Sequence, residues 1–162
     1  MTHEMKERLS LNDIVQNIIG VVEESREEIV RITEDSREQY AEIQQELRDL
    51  KVRVHDYIKE AERLERHIKD AKTRLVIVSK NFENYSEQDV RKAYETANSL
   101  QLESFINQRD EMNCRKRRDE LERRLIQLDE TIERADMLIG RVSVVLNFLT
   151  DDMQVMNEKY EK

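Results

Sequence analysis

The sequence predicts an all-α fold, in which two long helices form an antiparallel coiled-coil hairpin. Among its 162 residues there are no prolines and two glycines, and 40% are charged. Apolar residues recur at alternating steps of three and four, which is the a/d pattern of a coiled-coil heptad, labelled a to g. A disordered chain can be equally charged, but it lacks such sustained periodicity. One break near the middle leaves two nearly equal arms, as in a helical hairpin.

The first arm contains two apolar runs, which together predict helix 1 over about residues 10–83. From Tyr40 to Phe82 the steps alternate between three and four without a fault. Joining this run to the upstream one requires two steps of four, from Ile32 to Ser36 to Tyr40. Such a stutter unwinds a supercoil locally. The upstream run consists of Leu11, Val15, Ile18, Val22, Ser25, Ile29, Ile32 and Ser36.

The break predicts a turn at about residues 84–86, followed by helix 2 at about 87–160. Ser86 is a favourable N-cap residue, and Asp89 follows it at the N3 position. Tyr85 and Val90 occupy the two positions of a hydrophobic staple. We therefore expect residues 1–162 to form a single coiled-coil domain.

The second arm has a regular apolar seam only in its later part. Between Gln101 and Arg118 the apolar residues fit no single a/d phase, so the sequence leaves the packing of this stretch open. These residues are Leu102, Phe105, Ile106 and Met112. The regular seam consists of Leu121, Leu125, Leu128, Ile132, Ala135, Ile139, Val142, Leu146, Leu149, Met153, Met156 and Tyr160.

A second apolar stripe accompanies the seam near the two chain ends. Ile14 and Val21 are assigned to g positions of the first arm, and Leu138 and Val145 to g positions of the second. In an antiparallel pair these four residues line one flank, which Val144 and Phe148 widen. A helix needs one stripe for its neighbour, so a second stripe needs another partner. We therefore predict a homodimer that forms a four-helix bundle at this end.

No arrangement of side chains predicts a catalytic, cofactor or metal site. His3, His55 and His67 lack the spacing of metal ligands, and surface positions explain them better than phosphotransfer. Cys114 is the only cysteine; basic neighbours could activate it, but an ordinary helical cysteine is the simpler interpretation. The basic run 115–118 is followed at once by acids, which is typical of a solvated helix face.

The charge balance and hydropathy limit the partners and location that we expect. The net charge of −8 disfavours nucleic acid and anionic membranes as partners. No stretch of the sequence is apolar enough for a membrane-spanning helix, and the first residues contain no signal-peptide pattern. Together with the single cysteine, these features predict a cytoplasmic protein.

The order of several segments resembles the N-terminal sensor domain of the DegS family of bacterial two-component histidine kinases. Each segment alone is ordinary coiled coil, but their sequence and spacing along nearly the whole chain are specific. The segments are residues 35–40, Asn81-Phe82, Tyr85-Ser86-Glu87, residues 91–95, 117–134 and 144–149.

This resemblance implies a regulatory module of a soluble, cytoplasmic, homodimeric kinase that phosphorylates a DegU-type response regulator. The family's phosphoacceptor helix and ATP-binding domain follow the sensor domain, so we expect the kinase core to be absent from this chain and to act in cis in the parent protein. Ser25 and Ser36 would form a soft segment of the seam, where a signal could change the packing. The alternative is a structural or partner-holding hairpin without a signalling role.

Overall fold

The computed structural model confirms the predicted hairpin of two long helices. It describes the backbone of residues 2–160, and within that range all side chains except those of residues 8–10, 156, 157 and 160. Helix α1 spans His3–Lys80, a 3-10 turn spans Phe82–Asn84, and helix α2 spans Glu87–Tyr160. No strand occurs in these described residues. The side chains of the expected seam residues Met156 and Tyr160 lie outside what is described, as do residues 1, 161 and 162 at the limits of the predicted domain.

The contacts divide the hairpin into two compact units. The terminal unit comprises Met1–Glu42 with Arg124–Lys162, and the turn unit comprises Ile43–Arg123. In the terminal unit Arg37 of α1 pairs with Asp136 of α2 at 3.1 Å. In the turn unit Arg117 of α2 pairs with Glu46 of α1 at 2.9 Å. Each unit therefore contains its own antiparallel pair of helical segments.

Helix α2 keeps one heptad phase from Val90 to Met153. Every a and d position in this range is buried or half-buried, with alternating steps of three and four. The stretch 101–118, which the sequence left open, obeys the same phase. Its seam residues are polar or charged, apart from one small cysteine, and none is a large apolar residue. They are Ser104, Asn107, Glu111, Cys114 and Arg118.

Helix α1 likewise has no stutter, so that prediction is wrong. Thr33 is 3% exposed, whereas Ile32 is 44% exposed. The buried or half-buried positions Asn12, Val15, Ile19, Val22, Ile29, Thr33 and Ser36 continue the phase of Tyr40 and the residues after it. The physical reason lies in helix α2, which packs against α1. Because the heptad of α2 is uninterrupted, the two seams stay in contact only if the heptad of α1 is uninterrupted as well.

The start of α2 is stabilised by the predicted cap. The Asp89 backbone N–H donates to the Ser86 Oγ at 3.2 Å, and the Ser86 N–H donates to the Asp89 Oδ2 at 3.3 Å. The Ser86 hydroxyl also donates to this Oδ2 at 2.8 Å. These reciprocal bonds form a capping box. They hold the pKa of the Asp89 carboxyl below its ordinary value, because hydrogen bonds from Ser86 favour the charged form.

Candidate functional site

An exposed apolar flank covers one side of the terminal unit. All six residues proposed for a dimer interface belong to this unit and are exposed, by 46% to 67%. They are Ile14, Val21, Leu138, Val144, Val145 and Phe148. Ile14, Val21 and Val22 also line one shallow groove together with Asn17 and Ile18. The flank is thus continuous along this part of α1.

The corrected phase of α1 changes the heptad positions within this flank. Ile14 and Val21 occupy c positions rather than the g positions expected from the sequence, since Asn12 and Ile19 take the a positions. The g positions of α1 belong instead to Leu11, Ile18, Ser25 and Ile32. The three apolar members of that set are exposed by 44% to 55%. The sequence assigned them to the seam, so it underestimated the size of the flank.

Leu138 and Val145 remain at g positions of α2, with Phe148 at c and Val144 at f. In an antiparallel pair the g positions of both helices lie on the same side, and c lies next to g on each helix. The apolar c and g residues of α1 and α2 therefore form one surface. A surface of this kind, left exposed to water, is typical of a protein–protein interface.

Charged residues occupy the other flank of the terminal unit and the equivalent flank of the turn unit. Arg37 and Asp136, both at e positions, form the ion pair on the far side of the terminal unit. In the turn unit the g positions Glu46 and Arg117 form another. Hydrogen bonds to Glu46 raise the pKa of Arg117 above its ordinary value. The c and g positions of the turn unit are mostly charged or polar, so the continuous apolar c/g flank belongs to the terminal unit.

The two serines proposed as a soft segment differ in their surroundings. Ser36 is 7% exposed and lies in the seam beside the buried Thr33. Ser25 is exposed, and its hydroxyl donates to the Val21 carbonyl of its own helix at 3.0 Å. The sequence predicted that Ser25 lies in the seam, and this prediction is wrong. The a position of this heptad is residue 26, so Ser25 takes the neighbouring g position. Sequence reasoning missed Thr33, whose hydroxyl donates to the Ile29 carbonyl at 2.8 Å.

The histidines and the cysteine form no larger constellation. His55 and His67 are exposed, and His3 lies 3.5 Å from Glu7 at the exposed start of α1. Cys114 is a free, half-buried thiol at a d position of the seam. Among the described residues, no group of three or more His, Cys, Asp or Glu side chains could hold a metal ion.

Three of the four residues of the basic run 115–118 form ion pairs with carboxylates. Arg115 contacts Glu111 at 2.8 Å, and Arg118 contacts Asp119 at 3.2 Å. Arg117 pairs with Glu46 across the hairpin. These ion pairs support the interpretation of the run as a solvated helix face. Neither helix, over its described residues, contains a stretch long and apolar enough to cross a membrane.

An antiparallel helical hairpin with an exposed apolar flank is a coiled-coil module that can act through protein–protein contacts. The family described as "Sensor protein DegS" matches residues 12–162. The chain belongs to this family. The family match favours a sensor module over a purely structural hairpin.

Curated relatives agree with this assignment. A protein from Brevibacillus brevis named "Signal transduction histidine-protein kinase/phosphatase DegS" is 42% identical over 152 residues, or 94% of this chain. A protein of the same name from Bacillus subtilis (strain 168) is 40% identical over 144 residues, or 89% of this chain. The chain spans only 39% and 37% of these relatives, respectively. No solved structure matches the chain.

Proposed function

We propose that this chain is the cytoplasmic sensor and signal-transmitting module of a homodimeric histidine kinase that controls phosphorylation of a DegU-type response regulator. The relatives are named as histidine kinases/phosphatases, and this chain covers less than half of their length. The proposed kinase core acts in cis. The module itself supplies no catalytic residue to the reaction.

The observation that carries this proposal is the apolar c/g flank of the terminal unit. One hairpin buries its own seam, but it leaves Val21, Val145 and Phe148 in water. Two copies packed through this flank would bury those side chains in a four-helix bundle. An isologous dimer has the same patch on both subunits, which suits a surface made of residues from both helices.

Signal transmission would then depend on the packing of the terminal unit. A stimulus that favours one arrangement of the four helices would bias the attached kinase between two states. Thr33 and Ser36 are buried polar residues of the seam in this unit, so the packing around them is less apolar than in a layer of leucine or isoleucine. We expect the soft segment to include these two residues, with Ser25 on its exposed side.

The test of the dimer is the double substitution Val21→Glu with Val145→Glu. Both residues are exposed in the single hairpin, so the variant should remain helical while the bundle is lost. A matched control is Val52→Glu with Val76→Glu, since these valines of the turn unit are also exposed. Sedimentation equilibrium should show a dimer for the parent and the control, and a monomer for the variant.

Two results would contradict this proposal. A parent chain that is monomeric at ~10–50 μM, well above the dissociation constant of a stable interface, would exclude the homodimer. A Val21→Glu/Val145→Glu variant that stays dimeric would show that the contact lies elsewhere on the molecule. Circular dichroism of all three proteins separates loss of the dimer from loss of the fold.

A further inference from the structure

The c/g flank of the terminal unit contains a charged part next to its apolar part. In residues 25–42 of α1, the acidic section, the c and g positions carry three carboxylates and no cation. In residues 124–141 of α2, the basic section, the c and g positions carry three arginines and no carboxylate. All six charged residues are exposed, and they are Glu28, Asp35, Glu42, Arg124, Arg134 and Arg141.

The f positions, which lie next to the c positions, do not cancel this separation of charge. In the acidic section they add Arg31 and Glu38, which leaves four carboxylates against one arginine. In the basic section they add Glu130 and Met137, which leaves three arginines against one carboxylate. The two helices therefore present opposite net charges on the same flank.

The other carboxylates of the basic section lie on the opposite flank of α2. Asp129 and Asp136 occupy e positions, and Glu133 occupies a b position. Asp136 is already paired there with Arg37 of α1 at 3.1 Å. A solvated helix commonly alternates both signs along one face, so this segregation calls for another explanation.

The hairpin itself pairs few of the six charged residues. Glu28 binds Arg31 of its own helix at 2.7 Å, and the Arg124 guanidinium donates to the Gln39 Oε1 at 3.3 Å. Four of the six form no ion pair among the described side chains, namely Asp35, Glu42, Arg134 and Arg141. These four groups are free to pair with another molecule.

The opposite charges also lie at matching levels of the terminal unit. Arg37 pairs with Asp136, and Gln39 contacts Arg124, so Asp35 lies at about the level of residue 134. Because the helices are antiparallel, seven residues from Asp35 back to Glu28 correspond to seven residues from Arg134 on to Arg141. The level of each carboxylate thus matches that of one arginine.

Symmetry leaves two arrangements for a dimer that packs face to face through this flank with its helices aligned. A two-fold axis along the helices places α1 of each copy against α2 of the other, at the same level. A two-fold axis across the helices reverses one copy and places α1 against α1 and α2 against α2. Only the first arrangement brings the acidic section against the basic section.

We propose that two copies pack with their two-fold axis along the helices, so that Glu28 and Asp35 of each copy face Arg141 and Arg134 of the partner subunit. This inference rests on the dimer proposed above and adds its orientation and a charged part of its interface. The apolar part of the flank supplies the association. The charged part selects the orientation, because opposite charges steer the docking and like charges oppose the reversed arrangement.

Charge reversal tests the facing pairs. An acid variant carries Glu28→Arg with Asp35→Arg, and an arginine variant carries Arg134→Glu with Arg141→Glu. In each dimer, four attractive contacts become repulsive, so the dissociation constant from sedimentation equilibrium at low salt should rise at least ~10-fold. Added salt should reduce this difference.

A one-to-one mixture of the two variants separates contacts between subunits from contacts within the hairpin. In the mixed dimer opposite charges face each other again, so the dissociation constant should return to within ~3-fold of the parent value. Any repulsion within each hairpin persists in the mixture. Rescue therefore reports the contact between subunits alone.

The matched control is Glu27→Arg with Glu34→Arg. These exposed carboxylates are the sequence neighbours of Glu28 and Asp35, but they occupy b positions away from the flank. The control changes the net charge by the same amount and should alter the dissociation constant less than ~2-fold, as expected for solvated charges. Circular dichroism of every variant checks that the helices are retained.

The orientation can also be measured directly. A nitroxide label on Ala41→Cys, an exposed b position, is introduced with Cys114→Ser, and pulsed electron paramagnetic resonance gives the distance between the two labels. With the axis along the helices the labels share one level, so we expect roughly 20–35 Å from the spacing of packed helices. With the axis across the helices near Ile18, the helical rise gives about 70 Å.

The outcomes distinguish this inference from the proposed dimer. A monomeric parent would remove both. If Val21→Glu with Val145→Glu abolishes the dimer but neither charge variant weakens it, the dimer stands and the arrangement is overturned. Equal weakening by the b-position control, or a mixture that is not rescued, would also overturn the arrangement. A label distance near 70 Å would assign the reversed orientation.

Discussion

The corrected phase of α1 makes a sharp prediction about two serines. Ser36 is 7% exposed in the seam, whereas Ser25, one heptad and four residues earlier, is exposed. We expect Ser36→Leu to stabilise the hairpin and Ser25→Leu to leave its stability nearly unchanged. The two substitutions have identical chemistry, so each serves as the control of the other.

The expected difference follows from burial. A leucine placed at Ser36 would become largely buried, and full burial of a leucine contributes about 1.5–3 kcal/mol. Imperfect fit of the larger side chain offsets part of this gain. The higher helix propensity of leucine adds a few tenths of a kcal/mol at both sites and cancels in the comparison. We therefore expect Ser36→Leu to exceed Ser25→Leu by about 1–2 kcal/mol.

The assay is urea unfolding followed by circular dichroism, in the background of Val21→Glu with Val145→Glu. That background matters because Ser25 lies at a g position of the proposed dimer flank, where an added leucine could stabilise a dimer. Equal midpoints for the two leucine variants would refute the assigned phase. A larger gain from Ser25→Leu would restore the stutter that the sequence suggested.

Two further predictions concern the polar contacts of the turn unit. Asn107→Ala should lower the free energy of unfolding by about 1 kcal/mol relative to Asn113→Ala, because only Asn107 is buried and bonded to Tyr57; equal urea midpoints would contradict this. Ser86→Ala should raise the Asp89 pKa toward its ordinary 3.8. Because the folded-state pKa of Asp89 is depressed, its contribution to stability is present above 3.8 and is lost as the pH falls through the folded value. An NMR titration of the Asp89 carboxyl that is unchanged in Ser86→Ala would argue against this role of the cap.

Several features followed from local sequence alone. The cap at Ser86 and Asp89 depends on residues three positions apart, so no long-range information was needed to predict it. The seam from Tyr40 to Val78 was equally clear, because apolar side chains fill every a and d position there, whereas the other large apolar residues of this stretch follow no heptad of their own. The proposed dimer residues were recognised as surplus apolar surface for the same reason, and all six are exposed.

Where two phases compete, the sequence was insufficient. Near the start of α1 apolar residues occupy adjacent positions, as in Ile18-Ile19 and Val21-Val22, so hydrophobicity favours Leu11 and Ile32 over the polar Asn12 and Thr33. In 101–118 of α2 the apolar side chains belong to the outer face altogether. In neither stretch does the local distribution of apolar residues identify the positions that form the seam.

The sequence by itself determined the helicity, the turn with its cap, and the family. Helicity, turn and cap depend on local propensity, and the family depends on a direct resemblance between sequences. Only the tertiary structure decided which face of each helix meets the other. Regular heptads on either side hold the intervening residues in phase, because a long helix cannot rotate one segment without breaking its backbone hydrogen bonds. That constraint buries Thr33, Ser36 and Asn107 and leaves Ile32 and Phe105 exposed.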